Sequence, residues 1–189
     1  YGTASGPVQV SLTWGTVAGS HGSDTLLGIE HLIGSPFNDT LEGDARNNRL
    51  LGGGGDDTLA GRGRNDTLNG GPGRDTATYT QASGPIEADL DAGVVLGEGT
   101  DTLLRIEGVT GSGFDDVMVG SRRADTLDGR GGDDFLAGRG GDDHLLGGDD
   151  ADLLDGGVGH DVLEGGDWMD YLVGGPGDDR YDGGPGIED

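Results

Sequence analysis

Single large apolar residues recur every nine positions along most of the chain, separated by glycine-rich and acidic stretches. In 34–78 and 111–188 they occupy the eighth position of the phrase GGxGxDxUx, where U is large and apolar, and they are leucine in 10 of the 13 copies that reach it. The first position is glycine in all 14 copies, and the sixth is aspartate in 12. One apolar residue in nine indicates a solenoid of short repeats, since an amphipathic helix would need apolar residues every three or four positions.

Each copy predicts a tight turn followed by a short strand. Glycine at positions one, two and four allows the backbone to take positive φ, and positions seven to nine, such as 58–60, form the strand. Side chains alternate across a strand, so position eight faces an interior and its neighbours face outward. Two copies complete a flattened coil of about 18 residues, whose strands pair in parallel with those of the next coil. We expect an all-β fold, a right-handed parallel β-roll or β-helix solenoid.

A longer repeat is superimposed on the nine-residue one, because the beginning of the chain resembles the part from Tyr79 onward at an offset of 78 that falls to 77 after one gap. The predicted segments are irregular β coils at 1–33, a first nonapeptide block at 34–78, an irregular β segment at 79–110 and a second block at 111–189, which stops within a copy. We expect 79–110 to continue the solenoid as an irregular coil, with a β-hairpin or a linker as the alternative.

Composition adds charge to this pattern. Acidic residues number 36 against 11 basic ones, all of them arginine, so the formal charge is -25. Chains with few large apolar residues and a high net charge tend to remain disordered, and repulsion among so many carboxylates opposes a compact state. We therefore expect folding to require a cation that the sequence does not contain.

The same composition excludes several partners and sites. No basic stripe is present for phosphate contacts, so nucleic acid is not an expected partner. No run of 18 apolar residues is present that could span a membrane. The absence of cysteine excludes disulfides and thiolate metal sites.

The aspartates at position six define the candidate chemistry. Copies two apart share one edge of the roll, so Asp134 stacks on Asp152 and Asp152 on Asp170. Adjacent carboxylates repel, and a hard cation between them would reverse the sign of the interaction. Flexible coordination by about six to eight oxygens suits Ca²⁺ better than Mg²⁺, and loop carbonyls would complete the ligand set.

The phrase resembles the RTX nonapeptide, the hemolysin-type calcium-binding repeat of the β-roll in secreted bacterial proteins, over 34–78 and 111–188, with 19–27 as a further copy. In that family each ion lies between one loop and the loop one coil later. The resemblance implies about eight calcium ions, excluding pairs that contain Asn48 or Glu188. The implied ligands are Asp39, Asp57, Asp66 and Asp75 in the first block, and in the second Asp116, Asp134, Asp152 and Asp170 on one edge with Asp125, Asp143, Asp161 and Asp179 on the other.

Some loops depart from this pattern. Replacements of the glycine at position four include Arg46, Arg64, Arg123, Asp150 and Trp168. The carbonyl geometry of these loops therefore does not follow from the resemblance.

The sequence offers little for catalysis. None of the four histidines, His21, His31, His144 and His160, has a metal-ligand spacing, and no GxSxG nucleophile elbow occurs. Acid pairs recur wherever the loop recurs, which indicates structural ligands. The only candidate catalytic acids lie outside the repeats, where a hydrated strand face explains them more simply: Glu87, Asp89, Asp91 and Glu98. We predict no catalytic residue in this chain.

We predict a calcium-binding structural module of a larger secreted bacterial protein. By resemblance, such modules pass unfolded through a type I secretion channel and fold outside the cell, where calcium is plentiful. The alternatives are a segment of an adhesin or surface-layer protein and the non-catalytic roll of a secreted enzyme, such as a polysaccharide epimerase or lyase, a protease or a lipase. Because Tyr1 matches Tyr79, directly after a copy, and the last copy stops partway, we expect a segment of a longer array.

Position seven on one edge of the second block is apolar in four successive coils, here called the apolar row: Val117, Phe135, Leu153 and Tyr171. The equivalent positions on the other edge suit a hydrated surface: Thr126, His144, Val162 and Arg180. Contiguous exposed apolar surface often marks an interface. We predict that the apolar row is covered by 79–110, by a second chain or by another domain, with simple strand preference as the alternative.

Overall fold

The structure, a computed structural model, describes residues 1–19 and 22–185. Short β-strands joined by turns form this part of the chain, and none of it is helical. No helix that could cross a membrane is therefore found in those residues. The strands form two compact units, of which unit 1 contains Tyr1–Thr78 and Val94–Ile106. Unit 2 contains Tyr79–Gly93 and the described residues from Glu107 onward.

Unit 1 is a parallel β-solenoid that begins with an antiparallel meander. Its strands are β1 (Val8–Ser11), β2 (Thr16–Gly19), β3 (Gly22–Thr25), β4 (His31–Ile33), β5 (Thr40–Glu42), β6 (Arg49–Leu51), β7 (Thr58–Ala60), β8 (Thr67–Asn69), β9 (Thr76–Thr78), β11 (Val94–Leu96) and β12 (Thr100–Leu104). One sheet has the order β9-β7-β5-β1-β2-β3, and the other has the order β11-β12-β8-β6-β4. Thr40 on β5 pairs with Thr58 on β7, one coil later, as the nine-residue period predicts.

Unit 2 is a longer solenoid in which every neighbouring pair of strands is parallel. Its strands are β10 (Glu87–Asp89), β13 (Gly108–Thr110), β14 (Val117–Val119), β15 (Thr126–Gly131), β16 (Phe135–Ala137), β17 (His144–Asp149), β18 (Leu153–Asp155), β19 (Val162–Gly166), β20 (Tyr171–Val173) and β21 (Arg180–Asp182). The two sheets have the orders β21-β19-β17-β15-β13 and β20-β18-β16-β14-β10. The all-β solenoid predicted from the sequence is thus confirmed.

The residue at position eight faces the interior of its unit in most copies, and the residues on either side of it are more exposed, whereas Tyr181 in the last strand is itself exposed. Side chains at this position with an exposed fraction of 0% are Leu41, Leu50, Leu59, Leu68 and Ala77 in unit 1, and Met118, Leu127, Leu136, Leu145, Leu154 and Leu163 in unit 2. Burial of one leucine contributes about 1.5–3 kcal/mol. A single coil could not bury its leucines alone, so the free energy of burying these side chains stabilises the fold only when coils stack.

The irregular segment 79–110 is divided between the units. Strand β10 pairs in parallel with β14, so the start of the segment continues the solenoid of unit 2. Strands β11 and β12 form an antiparallel pair, and β12 also pairs in parallel with β8 of unit 1. The segment therefore combines the two interpretations that the sequence left open, a solenoid coil and a hairpin.

The apolar row lies on the outer face of unit 2 and is exposed. Exposed fractions are 41% for Val117, 37% for Phe135, 37% for Leu153 and 67% for Tyr171. Strand β10 does not cover this row, because it lies in the same sheet and places Glu87 beside Val117. Covering of the apolar row by the rest of 79–110, by a second chain or by another domain stays a prediction.

Candidate metal centre

The aspartates at position six form columns because each one directly precedes a strand of the solenoid. The N–H group of Asp116 donates to Oδ1 of Asp134 at 2.7 Å, and the N–H group of Asp134 donates to Oδ1 of Asp152 at 2.9 Å. The same bond, at 2.7–3.0 Å, joins Asp152 to Asp170, Asp125 to Asp143, Asp143 to Asp161, Asp161 to Asp179, Asp39 to Asp57, Asp57 to Asp75 and Asn48 to Asp66. Each of the twelve predicted aspartates thus lies in a column beside the neighbours that the sequence predicted, and the role of these residues as metal ligands stays a prediction.

The second carboxylate oxygen, Oδ2, has no hydrogen-bond partner in most of these columns. Such buried oxygens belong to Asp57, Asp66, Asp134, Asp143, Asp152, Asp161 and Asp170. A buried polar atom without a partner costs free energy, and an ionised one costs more. These oxygens are the strongest structural sign that the loops accommodate a cation.

Burial and neighbouring carboxylates also change how these aspartates titrate. Burial raises the pKa to about 7, the hydrogen bond from the backbone lowers it, and adjacent carboxylates raise it, at Asp57, Asp66, Asp134, Asp143 and Asp152. Burial likewise raises the pKa of Asp161. A bound cation has the opposite effect, because it favours the charged carboxylate.

The backbone φ angle of these loops alternates in sign, and most residues other than glycine avoid positive φ. In most of these loops positions two and four both take positive φ, for example 120° at Gly53 with 97° at Gly55, and 124° at Gly148 with 76° at Asp150. At position four, Arg64 and Trp168 also take positive φ although neither is glycine, whereas neither Arg46 nor Arg123 does. The loops therefore keep positive φ at position four with some residues other than glycine, which the resemblance did not predict.

Position one is glycine for a different reason from the one that the sequence suggested. The glycines at this position do not take positive φ. A Cβ atom on Gly129 would instead overlap Oδ2 of Asp134, and one on Gly147 would overlap Oδ2 of Asp152. Position one is therefore restricted by the close approach of the aspartate in its own loop.

Four loops differ in that the side-chain oxygen at position six is satisfied. Oδ2 of Asp116 accepts the N–H group of Ser112 at 2.6 Å, and Oδ2 of Asp125 accepts that of Ser121 at 2.5 Å. The N–H group of Ser35 donates to Oδ2 of Asp39. In the fourth loop, Oδ1 of Asn48 accepts the N–H group of Asp44 at 2.7 Å.

One column contains an aspartate that the sequence analysis missed. The N–H group of Asp66 donates to Oδ1 of Asp101 at 2.8 Å, and Asp101 is 3% exposed. Residues 96–104 read LGEGTDTLL, a copy of the phrase with leucine at position one, so the signal was present in the sequence. The corresponding Asp24, in the copy at 19–27, is exposed and accepts a hydrogen bond from the Tyr1 hydroxyl at 3.2 Å.

The ends of the predicted set are less well defined. Asp170 and Asp179 are only partly buried, because they lie towards the last coils of unit 2. Two residues considered in the sequence analysis, Glu188 and His21, lie outside the described residues.

The donor set fits a hard divalent cation. Among residues 1–19 and 22–185, no three acidic or histidine side chains converge on a single point. A cation in a loop would therefore combine few carboxylates with backbone carbonyls. An all-oxygen set of this kind is the chemistry that Ca²⁺ prefers.

The candidate catalytic acids occupy other positions. Arg139 forms ion pairs with Asp89 at 3.1 Å and with Asp91 at 3.8 Å. Glu87 is exposed on β10, and the carbonyl oxygen of Glu98 accepts the N–H group of Arg64 at 2.9 Å. Glu98 belongs to unit 1 and the other three acids belong to unit 2.

Comparison with known families agrees with this geometry. The sequence model of the family described as the RTX calcium-binding nonapeptide repeat (four copies) matches residues 33–63, 61–78, 110–145, 138–167 and 170–187, which together make up more than half of the chain. A search of curated proteins finds no match.

Proposed function

Because the chain belongs to the family of RTX calcium-binding nonapeptide repeats, we infer that it is a calcium-dependent folding module of a larger secreted protein. The RTX β-roll is a structural, non-catalytic module, and its repeats bind calcium. The inference adds that this chain folds when calcium binds outside the cell. Secretion and extracellular folding are typical of proteins that contain these repeats.

The observation that carries this proposal is the set of buried Oδ2 atoms without hydrogen-bond partners. At neutral pH the calcium-free roll must bury negative charge or protonate carboxylates whose pKa is raised to about 7, such as Asp134 and Asp143. Both alternatives cost free energy. Calcium supplies the positive charge that offsets the formal charge of -25, and its affinity for the folded state becomes folding free energy.

We assign the ligands to the aspartate columns. The candidates in these columns are the position-six aspartates predicted from the sequence and Asp101, which continues the column of Asp66. We assign as ligands those whose Oδ2 atom has no hydrogen-bond partner, such as Asp134 and Asp152. Loop carbonyls at the positions near each aspartate would complete the coordination. Each aspartate inside a column neighbours a loop on either side, so loss of one ligand affects more than one coil.

A calcium titration tests the proposal. Far-UV circular dichroism of the chain in EDTA should show a largely disordered chain, and added Ca²⁺ should produce β structure cooperatively. The midpoint should lie near ~10⁻⁴–10⁻³ M, the range of extracellular calcium modules. The same concentrations of Mg²⁺ serve as the matched control and should induce little structure, because Mg²⁺ requires a tighter octahedral site. A β spectrum that persists in EDTA would refute the proposal.

A second candidate is a segment of an adhesin or surface-layer protein. The observation that favours it is the superrepeat, in which the segment preceding each nonapeptide block recurs at an offset of 77 to 78 residues. A construction of repeated rolls suits an extended protein on a cell surface. The roll of a secreted enzyme is a further candidate, and the domains of the parent protein would distinguish all three.

A further inference from the structure

The loops of this protein fall into two classes, which we call closed and open. In the closed loops the oxygen at position six accepts the N–H group of the residue at position two. They begin at Gly34 and Gly43 in unit 1 and at Gly111 and Gly120 in unit 2. In the open loops positions two and four take positive φ. The Oδ2 atom of the position-six aspartate is buried without a hydrogen-bond partner at Asp57, Asp66, Asp134, Asp143, Asp152, Asp161 and Asp170.

The side chain at position two explains the difference. Oγ of Ser112 accepts the N–H group of Phe114 at 3.2 Å, and Oγ of Ser121 accepts that of Arg123 at 3.1 Å. Serine and aspartate side chains commonly hold a turn by bonding to the backbone two residues later. This bond draws the position-four N–H group towards position two, and neither position takes positive φ in these loops. The open loops have glycine or arginine at position two, which provide no such acceptor.

We propose that the closed loops bind no calcium and that the first coil of nonapeptides in each unit is therefore calcium-independent. This inference rests on the proposed function, since it divides the loops of the same metal-binding roll. In a closed loop the carboxylate already has its hydrogen-bond donor, and a cation would have to displace it. In an open loop, such as that of Asp134, the Oδ2 atom of the carboxylate accepts no hydrogen bond that a cation would have to displace.

Asn48 supports this division. It occupies position six of a closed loop, where its neutral amide oxygen accepts the N–H group of Asp44 and its own N–H group donates to Asp66. A closed loop thus forms around an amide that carries no charge for a cation. The two closed loops begin the nonapeptide block of each unit, so that coil is a preformed template on which the calcium-dependent coils stack.

The expected calcium stoichiometry follows from the same division. Each site is counted as a pair of successive loops in one column, and a pair that includes a closed loop is no longer counted. The remaining sites are the pairs of open loops, and the pair formed by Asp66 and Asp101 is added to them. The chain should therefore bind fewer than the about eight ions that the repeat count alone implies.

A matched pair of variants in one column tests the inference, Asp116→Asn in a closed loop and Asp134→Asn in the adjacent open loop. Both aspartates are at most 3% exposed, and they are joined by one hydrogen bond. At saturating calcium, native mass spectrometry should count the same number of ions in Asp116→Asn as in the wild type and at least one fewer in Asp134→Asn. Equal loss of ions from the two variants would overturn the inference, whereas absence of calcium from the wild type would overturn the proposed function instead.

A gain of binding provides an independent test. The double variant Ser112→Gly/Phe114→Gly changes residues 111–116 from GSGFDD to GGGGDD, the sequence of the open loop at 52–57. We expect it to bind at least one more ion than the wild type. An unchanged ion count in this folded variant would show that position two does not control binding. Asp125→Asn and Asp143→Asn repeat the first comparison in the other column of unit 2.

Discussion

Two kinds of buried column run through each roll, one of leucines and one of aspartates, and the same stacking of coils produces both. Leu127, Leu145 and Leu163 are 0% exposed, and Asp134 and Asp143 are almost as fully buried at 3% and 2%. Burial stabilises the leucines, because it removes apolar surface from water. It destabilises the aspartates, because it removes carboxylates from water without supplying partners for their second oxygens.

The difference teaches how calcium can control this fold. The apolar columns favour stacking under any conditions, but they are narrow, with about one large side chain per nine residues. The aspartate columns oppose stacking until a cation is present. Under the proposed function, these two contributions nearly balance without calcium, and bound calcium shifts the balance towards the folded chain.

The largest effect should come from breaking a leucine column. Leu145→Ala leaves a cavity between Leu127 and Leu163 and should reduce the free energy of unfolding by about 2–5 kcal/mol, measured by urea denaturation at saturating calcium. Leu172→Ala is the control, because Leu172 lies near the end of its column and is only partly buried. Equal losses in the two variants would mean that the interior of the column contributes no more than its end.

A smaller effect is expected from an aspartate inside its column. Asp152 has column neighbours on both sides, whereas Asp179 is bonded to Asp161 on one side. Asp152→Asn should raise the calcium midpoint of folding by about tenfold or more, given that hydrogen bonds to charged groups contribute on the order of 1.5–3 kcal/mol. Asp179→Asn should shift it less. Identical midpoints in the two variants would contradict the stacked arrangement.

The pH should change the balance in opposite directions with and without calcium. Without calcium, burial raises the pKa of Asp134 and Asp152 from 3.8 to about 7, so between these values the folded state holds more protons than the unfolded state. Stability without calcium should therefore rise as pH falls from about 7 towards about 4. With calcium, acidification should raise the calcium midpoint, because protons compete for the same carboxylates.

Circular dichroism in chelator-treated buffer at several pH values measures the first effect, and calcium titrations at the same pH values measure the second. Loss of β structure on acidification without calcium would be inconsistent with buried carboxylates of raised pKa.

The smallest effect on folding should come from the apolar row, which belongs to neither column. Phe135→Thr/Tyr171→Thr changes two exposed side chains and should leave the calcium midpoint nearly unchanged, as surface substitutions usually do. If a second chain covers the row, the variant should instead lose self-association in analytical ultracentrifugation. Unchanged oligomeric state, calcium midpoint and protease resistance would identify the row as strand preference alone.

The nine-residue period of the sequence determined the main features of the leucine and aspartate columns. It predicted that position eight is buried, that position six stacks every second copy, and that strands pair in parallel, because a repeated coil has one solution for its register. Position two also distinguishes closed from open loops in the sequence, as serine or aspartate against glycine or arginine. The sequence alone did not show what this difference does, however, because the hydrogen bonds of Ser112 and Ser121 are visible only in the structure.

Only the tertiary structure decided what interrupts the period. Asp101 follows Asp66 by 35 residues, and it enters the column because the hairpin of β11 and β12 returns that strand to β8. Its counterpart Asp24 has nearly the same local sequence but lies on β3, which pairs with β2 at the edge of a meander, and it remains exposed. The two aspartates differ because burial depends on which strand packs beside them, and that pairing joins residues too far apart in the chain for a local pattern to specify.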